Sequence, residues 1–319
     1  MANEIFGMGT SWNLPNFAGE LFTADAAQTP LLSMTGGLSG GKQTDNFEFP
    51  TAVLYSYPPV EQPSISEEDS ISAPEARHTL RSQETNVVQI HQETIELSYV
   101  ALSNLGRMSG INTAGQVPGQ QDERNFQIQH KLIKVARDVE NSFINGVFHK
   151  STGENVPNQT RGLFDLCSAQ TVNAGGEALS MDLLRSLYRD MAERGAQFNN
   201  MVMLLPAVQK QRISEVYASQ MGMNLPATRR IGGVNISQIE TDFFPMGVVW
   251  SRFMPQDSIL IVDIAHITPV FQVVPDKGIL FVEELAKTGA AERLQLFGQI
   301  GLAHGPAFLH GAVRGLATA

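Results

Sequence analysis

The chain has 319 residues, of which 42% are hydrophobic and 28 are glycines, and its formal net charge is -10. This size and composition predict a folded protein with a large core and exclude global disorder. The negative charge argues against a protein that binds nucleic acid by neutralising phosphates, because such a protein needs a basic face.

Residues 1–41 are predicted to form an extended N-terminal arm. Their apolar residues come in short pieces separated by prolines and glycines, so the arm cannot fold alone but can lie along another surface. Trp12, Phe17 and Phe22 are its large apolar anchors. Residues 1–20 contain no Lys or Arg and no continuous apolar run, so no secretory signal is predicted. No stretch approaches the ~18 consecutive apolar residues of a membrane span.

Within the arm, residues 36–42 match the phosphate-binding pattern G-x-x-x-x-G-K. The next residue is Gln43, which offers no hydroxyl to magnesium, and the following residues are predicted to form a strand. A nucleotide site needs a helix there, because the helix N-terminus binds the phosphates. We therefore interpret this glycine-rich segment as a flexible hinge.

Residues 42–102 are predicted to form a long β-hairpin with a polar tip. Alternating polar and apolar side chains indicate its two strands at residues 46–57 and 85–97. The tip contains four prolines and an acidic run, and basic residues come only after it. The charged residues that we single out are Glu67, Glu68, Asp69, Arg77 and Arg81. A loop this long and polar favours a protruding hairpin, although an acidic loop that is merely solvated fits equally well.

Residues 120–149 carry the pattern of one long amphipathic helix. Apolar residues recur at spacings of three and four from Phe126 to Val147, which predicts one broad buried face. About 29 residues at ~1.5 Å each make a rod of roughly 43 Å. We expect this helix to be the spine of a peripheral domain over residues 103–177.

Residues 178–265 are predicted to form a separate α/β domain, and residues 266–319 to return to the peripheral domain. One helix is predicted at residues 179–194, with Ser180 as its N-cap. The other predicted elements are a helix at 208–217, strands at 201–205, 233–240, 247–253 and 258–264, and return strands at 267–274, 291–302 and 308–315. We expect the return strands to pack beside the spine helix, which gives an α+β fold.

No catalytic, metal-binding or cofactor motif stands out. Cys167, the only cysteine, lies next to an apolar run and is interpreted as a buried structural thiol. His91 is interpreted as an exposed strand residue, and His304 and His310 as turn residues rather than metal ligands. We therefore predict a protein that is not an enzyme and has no catalytic residues, metal or cofactor. A hydrolase whose site residues converge only in space is the alternative.

The order of arm, hairpin, spine helix, α/β domain and return strands resembles the major capsid proteins of tailed bacteriophages. Their shell fold is shared by herpesvirus capsid floors and encapsulins. Residues 135–146 resemble the end of that family's spine helix, residues 203–206 (Met-Leu-Leu-Pro) its axial strand, and residues 287–289 (Lys-Thr-Gly) the start of its closing strands. The resemblance implies an α+β phage major-capsid fold with an N-terminal arm, an extended β-hairpin loop, a spine helix in a peripheral domain and an α/β axial domain.

The resemblance also implies a function. The chain would self-assemble into pentamers and hexamers of an icosahedral shell around packaged double-stranded DNA, in a virion assembled in the host cytoplasm. The axial domain would surround the capsomer axes, the hairpin would overlap one neighbour, and the arm would tie across another. Inter-subunit contacts would then involve Trp12, Phe17, Phe22, Glu67, Glu68, Asp69, Arg77 and Arg81.

Further expectations concern partners and cross-links. Separate scaffolding, portal and decoration proteins are expected partners. Some members of the family join the hairpin to a neighbour through a Lys–Asn isopeptide bond, but no lysine lies between Lys42 and Lys131. We therefore expect a shell without covalent cross-links. An encapsulin-type compartment with protein cargo is the nearest alternative, and a decoration or tail-tube protein is a more distant one.

Overall fold

The computed structural model describes residues 28–73, 78–99, 123–198, 200–221, 228–231, 234–241, 243–287 and 289–318, with backbone alone for the residues among 218–237. The α-helices in these residues are α1 (Pro30–Met34), α2 (Glu123–Asn145), α3 (Leu163–Leu166), α4 (Met181–Glu193) and α5 (Ala207–Met221). None of the helices in this part of the chain is long and apolar enough to cross a membrane.

The strands are β1 (Lys42–Thr44), β2 (Glu48–Tyr55), β3 (Arg81–Val87), β4 (Gln89–Ser98), β5 (Thr171–Asn173), β6 (Met201–Leu205), β7 (Thr228–Ile231), β8 (Val234–Glu240), β9 (Pro245–Trp250), β10 (Ile259–Asp263), β11 (Thr268–Gln272), β12 (Leu280–Glu284), β13 (Ala291–Ala303) and β14 (Gly311–Arg314). They form a five-stranded sheet, a seven-stranded sheet and a two-stranded hairpin.

The five-stranded sheet is built around β13. This strand pairs antiparallel with β4 along one edge and with β12 and β11 along the other, and β1 adds parallel to β11. The seven-stranded sheet has the order β5-β14-β10-β6-β9-β8-β7. The remaining strands, β2 and β3, pair only with each other.

The helix α2 packs against both sheets. Its buried residues Val135, Val139 and Phe143 belong to one apolar cluster that includes Leu296 and Ile300 of β13 and residues of β6, β9 and β10. The opposite face of the seven-stranded sheet is covered by α4 and α5, whose residues form a second cluster with it. The predicted α+β fold, with a spine helix and an α/β domain, is therefore confirmed.

The spine helix ends earlier than predicted. Its predicted start, residues 120–122, lies outside the described residues, and it ends at Asn145 rather than near residue 149. The N–H of Gly146 still donates to the Ser142 carbonyl at 2.9 Å, but the Gly146 carbonyl accepts from the Gly162 N–H at 2.9 Å. The chain that returns after the helix therefore takes the place of the next helical turn.

The second predicted hairpin strand, residues 85–97, divides between two partners. Its first residues belong to β3, which pairs with β2, and the rest form β4, which pairs with β13. The prediction that His91 is exposed was wrong, because this position of β4 faces α2 and the side chain is buried. Burial lowers the pKa of His91 to about 4. A polar residue in an alternating strand can thus belong to the covered face.

The return strands also divide. As expected, β11 and β13 lie in the five-stranded sheet, but β14 pairs with β10 and β5 in the seven-stranded sheet, so the expectation that residues 308–315 return to the peripheral domain was wrong. Ala312 and Val313 of β14 contribute to the two clusters on opposite faces of that sheet, which suits a central strand. His304 and His310 lie in the connection from β13 to β14, outside the strands as predicted, and both are buried.

The close crossing at the end of α2 yields a stability prediction. A Cβ atom on Gly162 would lie 2.5 Å from the Gly146 nitrogen, so Gly162→Ala forces the backbone apart. We expect the free energy of unfolding to fall by about 1–3 kcal/mol. Gly153→Ala is the matched control, because a Cβ there meets no atom within 4 Å. Denaturant unfolding of both variants measures the difference, and equal stabilities would contradict the prediction.

Candidate assembly interface

The hairpin of β2 and β3 exposes apolar side chains from its middle to its tip. Beyond Leu54, every residue up to residue 73 is exposed, so this part of the hairpin buries little surface against the described residues of its own subunit. Exposed apolar residues in such a series are typical of a surface that binds another protein. The exposed large residues are Val53, Tyr55, Tyr57, Val60, Ile65, Ile71 and Leu80.

The tip carries the predicted acidic residues. Glu67, Glu68 and Asp69 are exposed, and none of them forms an ion pair with a described residue. The Ser66 hydroxyl donates to the Asp69 carboxylate at 2.6 Å and shapes the turn. The tip therefore presents three exposed carboxylates.

Of the other predicted contact residues, the structure describes only Arg81. Arg81 begins β3, is exposed and lies opposite Tyr55 of β2. Arg77 and the arm residues Trp12, Phe17 and Phe22 lie outside the described residues. The structure thus places Arg81 beside Tyr55 at the start of β3.

The root of the hairpin lies where the chain leaves the five-stranded sheet. The pairing of β4 with β13 stops at Gln89 opposite Ile300, but β13 continues to Ala303. On this edge, the N–H of Leu302 donates to the Thr160 hydroxyl at 3.2 Å. The Leu302 carbonyl accepts from the Asn86 side chain at 2.8 Å. Two side chains therefore replace the strand that ends there, and they satisfy backbone groups that would otherwise be buried without partners.

Asn86 uses its whole amide group at this root, and it is fully buried. Its Nδ2 donates to the carbonyls of Leu302, at 2.8 Å, and Arg161, at 3.3 Å. Its Oδ1 accepts from the N–H groups of Val87, at 2.9 Å, and Arg161, at 2.8 Å. A side-chain amide has two donors and two acceptor positions, and all four are occupied.

An apolar contact and an ion pair complete the root. Phe49 of β2 packs over Gly301 of β13, where a Cβ would approach the ring to 2.8 Å. Phe49 also clusters with Val88, Val270 and Ala303. Outside this contact, Glu48 accepts from Lys150 at 2.6 Å and from the Thr85 hydroxyl at 2.9 Å. These two hydrogen bonds lower the pKa of Glu48.

The arm root, which comprises residues 30–34, does not pack where the prediction placed it. The arm was expected to lie on another surface, but Leu31 and Leu32 of α1 are buried in the chain's own core. Their N–H groups donate to the two carboxylate oxygens of Glu140 on α2, at 3.0 and 2.7 Å. The predicted hinge, residues 36–41, then connects α1 to β1. The arm is therefore anchored in its own subunit at residues 30–34.

Glu140 is fully buried, and burial raises its pKa to about 7, although the hydrogen bonds from Leu31 and Leu32 act in the opposite direction. Sequence reasoning missed this residue. The signal was present, because Glu140 lies three residues before Phe143 and therefore on the apolar face of the helix. Asn86 and Thr160 were also missed, and nothing in their local pattern distinguishes them from surface residues.

The described residues offer little that could form a metal site or act as a nucleophile. No group of three or more His, Cys, Asp or Glu side chains there could hold a metal ion. Cys167 is buried, as predicted, and burial raises the pKa of its thiol to about 12. A thiol with so high a pKa carries no thiolate at neutral pH and is inert.

Comparisons with known proteins agree on one architecture. The profile of one family, described as SU10 major capsid protein, matches residues 4–317. No curated protein sequence matches the chain. The fold is similar to that of the Cyanophage A-1(L) capsid asymmetric unit, with a TM-score of 0.61, 8% identity and coverage of 97% of each chain.

Two further solved structures are similar. The capsid of a native GTA particle has a TM-score of 0.58 and 13% identity, over 99% of this chain and 100% of that chain. The holo-SrpI encapsulin complex from Synechococcus elongatus PCC 7942 has a TM-score of 0.58 and 12% identity, over 95% of this chain and 94% of that chain. At these identities the likeness concerns the fold alone.

The Glu140 anchor predicts a pH dependence of stability. The pKa of Glu140 in the folded chain, about 7, lies above its ordinary value of 4.5, so the folded state binds this proton more tightly than the unfolded chain. The stability from this group is fully present below pH 4.5 and is lost as the pH rises through 7. We expect a loss of roughly 2–3 kcal/mol between about pH 5 and 8.

Glu140→Gln isolates this effect, because it cannot ionise. Buried His91, His304 and His310 have pKa values lowered to about 4, and they change stability in the opposite sense. Their contribution cancels when the free energy of unfolding of the variant is subtracted from that of the wild type at each pH. The difference should shift in favour of the variant as the pH rises, and a flat difference would rule out the raised pKa.

Proposed function

The chain belongs to the SU10 major capsid protein family, and on that basis we propose that its hairpin and its arm join neighbouring copies into the shell. It is a major capsid protein, a structural subunit of a phage shell that is assembled from many copies. The finer proposal is an icosahedral shell of pentamers and hexamers that encloses packaged double-stranded DNA.

The observation that carries this proposal is the exposed apolar series of the hairpin. Val60, Ile71 and Leu80 are each at least 80% exposed. A two-stranded hairpin alone in water is marginally stable, so its side chains need a partner surface. Burying one such side chain against a neighbour contributes about 1.5–3 kcal/mol. A shell that repeats this contact on every subunit gains that energy many times.

The proposal also assigns positions in the shell to the other parts of the subunit. The α/β domain at residues 178–265, which contains α4, α5 and strands β6 to β10 of the seven-stranded sheet, surrounds the axes of the capsomers. The five-stranded sheet and α2 form the periphery, and the arm before residue 28 reaches a second neighbour. Trp12, Phe17 and Phe22 are its proposed contacts, whereas Leu31 and Leu32 anchor the arm in the core of its own subunit.

Charge supports enclosure of DNA rather than binding to it. The formal net charge of -10 suits an inner surface that repels the phosphate backbone, which would let the genome move during packaging. Scaffolding, portal and decoration proteins and assembly in the host cytoplasm belong to the same proposal. The encapsulin alternative shares the fold, but the family match favours the phage shell. Nucleic acid or protein recovered from purified shells distinguishes the two.

The hairpin contact is tested by replacing Val60, Ile71 and Leu80 together with serine. Since these side chains are exposed in the single subunit, its free energy of unfolding should change by less than about 0.5 kcal/mol per site. Shells should be lost, as measured by negative-stain electron microscopy and size-exclusion chromatography. Val147→Ser, at an exposed apolar residue outside the hairpin, is the control and should assemble. Normal shells from the triple variant would rule out the hairpin contact.

The absence of covalent cross-links is a separate prediction. The hairpin contains no lysine, since none lies between Lys42 and Lys131, so it has no amine for an isopeptide bond. Mature shells boiled in detergent should therefore migrate as a single band at the mass of the subunit. A ladder of multimers on the denaturing gel would contradict this.

A further inference from the structure

We propose that Asn86 is a positioning residue that sets the direction in which the hairpin leaves the subunit and thereby controls the geometry of the shell. The inference rests on the proposed function, in which the hairpin contacts a neighbouring copy. It goes further by locating the control of that contact in one buried amide at the hairpin root, far from the contacting side chains.

The direction of the hairpin is decided within a few residues. Val87 still pairs with Glu48 inside the hairpin, whereas Gln89 already pairs with Ile300 of the five-stranded sheet. Val88 lies between them and donates its N–H to the Phe47 carbonyl at 2.9 Å. The chain therefore passes from one sheet to another with no continuous strand to fix the angle between them. Whatever holds this junction sets the angle.

Asn86 holds the junction by joining three segments of the chain. Its amide bonds its own strand at the Val87 N–H, the segment after α2 at both backbone groups of Arg161, and β13 at the Leu302 carbonyl. Aspartate has the same shape but no donors, and leucine has neither donors nor acceptors. Only an amide of this length satisfies all the partners together.

The other root contacts restrain the angle less. The Lys150–Glu48 ion pair is partly exposed, and such pairs contribute about 0–1 kcal/mol. Phe49 on Gly301 is an apolar contact, which has no preferred direction. The angle is therefore restrained mainly by directional hydrogen bonds to fixed backbone groups. In the described residues of the root, most of these hydrogen bonds are made by Asn86.

A small change at the root becomes large at the tip. Strand β2 has eight residues, which at ~3.3 Å each span about 26 Å. A rotation of about 10° at the root therefore moves the far end of the strand by about 4.5 Å, which is close to one strand spacing. Contacts at the tip would then meet a different part of the neighbour, and subunits would join at a different angle.

The test compares Asn86→Asp and Asn86→Ser with Thr160→Val in the full chain. Both Asn86 variants remove the donors to Leu302 and Arg161. Thr160→Val removes the hydroxyl that accepts from the N–H of the same Leu302, but Thr160 is not part of the hairpin. The control therefore removes one backbone hydrogen bond of the same Leu302 but leaves Asn86 and its four hydrogen bonds in place. Unfolding curves of single subunits identify the variants that fold.

The readout is the distribution of shell diameters by electron microscopy, which a loss of stability alone would not broaden. We expect folded Asn86 variants to give open sheets or shells of mixed size, with regular shells reduced at least about tenfold. Thr160→Val should give shells of the wild-type diameter. Hydrogen exchange of β2 and β3 in single subunits should also be faster in the Asn86 variants.

The outcomes separate this inference from the proposed function. Wild-type shells from a folded Asn86 variant overturn the inference, and so does the same range of diameters from Thr160→Val. If neither Asn86 variant folds, the amide is needed for folding and the inference is also wrong. The triple serine variant of Val60, Ile71 and Leu80 is assembled in parallel. Its normal assembly would overturn the hairpin contact itself, whatever the Asn86 variants do.

Discussion

The apolar core beneath α2 is the interaction on which the rest of the subunit depends. Val139 and Phe143 of this helix belong to one apolar cluster with residues of both sheets, so two sheets that share no strand pairing in the described part of the chain form one body. The arm root α1 packs into the same core, and the tight crossing of Gly146 and Gly162 closes its end. The positions of the hairpin and the arm are therefore defined relative to one rigid helix.

Where an extended segment leaves such a core, backbone N–H and C=O groups can lose their hydrogen-bond partners. Where a strand departs, its former neighbour keeps N–H and C=O groups that water cannot reach, and each costs free energy if unpaired. The subunit solves this twice with side chains: Asn86 and Thr160 serve Leu302 at the hairpin root, and Glu140 serves α1 at the arm root. The second solution has a cost, because the carboxylate of Glu140 is buried.

These features suit a protein whose function is assembly. A capsid subunit needs a body that keeps its shape and projections that bury apolar surface only when a neighbour arrives. The hairpin has that character, since its side chains from Val53 outward are mostly exposed while Phe49 at its root is packed. Binding energy and geometry are thereby assigned to different residues. The exposed series supplies the contact, and the buried root determines where that contact is made.

The sequence by itself determined the elements whose burial follows a local period. Residues 179–194 were predicted as a helix with Ser180 as its N-cap, and α4 has that cap, with the Ser180 side chain accepting from the Leu183 N–H. The spine helix, β6 and the order of the parts were likewise predictable, since the spacing of apolar residues reports which face is covered.

Only the tertiary structure decided which element packs on the buried face of each helix or strand. His91, the division of residues 85–97 between β3 and β4, and the transfer of β14 to the seven-stranded sheet all depend on partners far away in the chain. Glu140 and Asn86 likewise gain their roles from Leu31, Leu32, Arg161 and Leu302. A local period records that a residue is buried, but a polar residue is buried stably only with a specific partner, and the partner is a property of the fold.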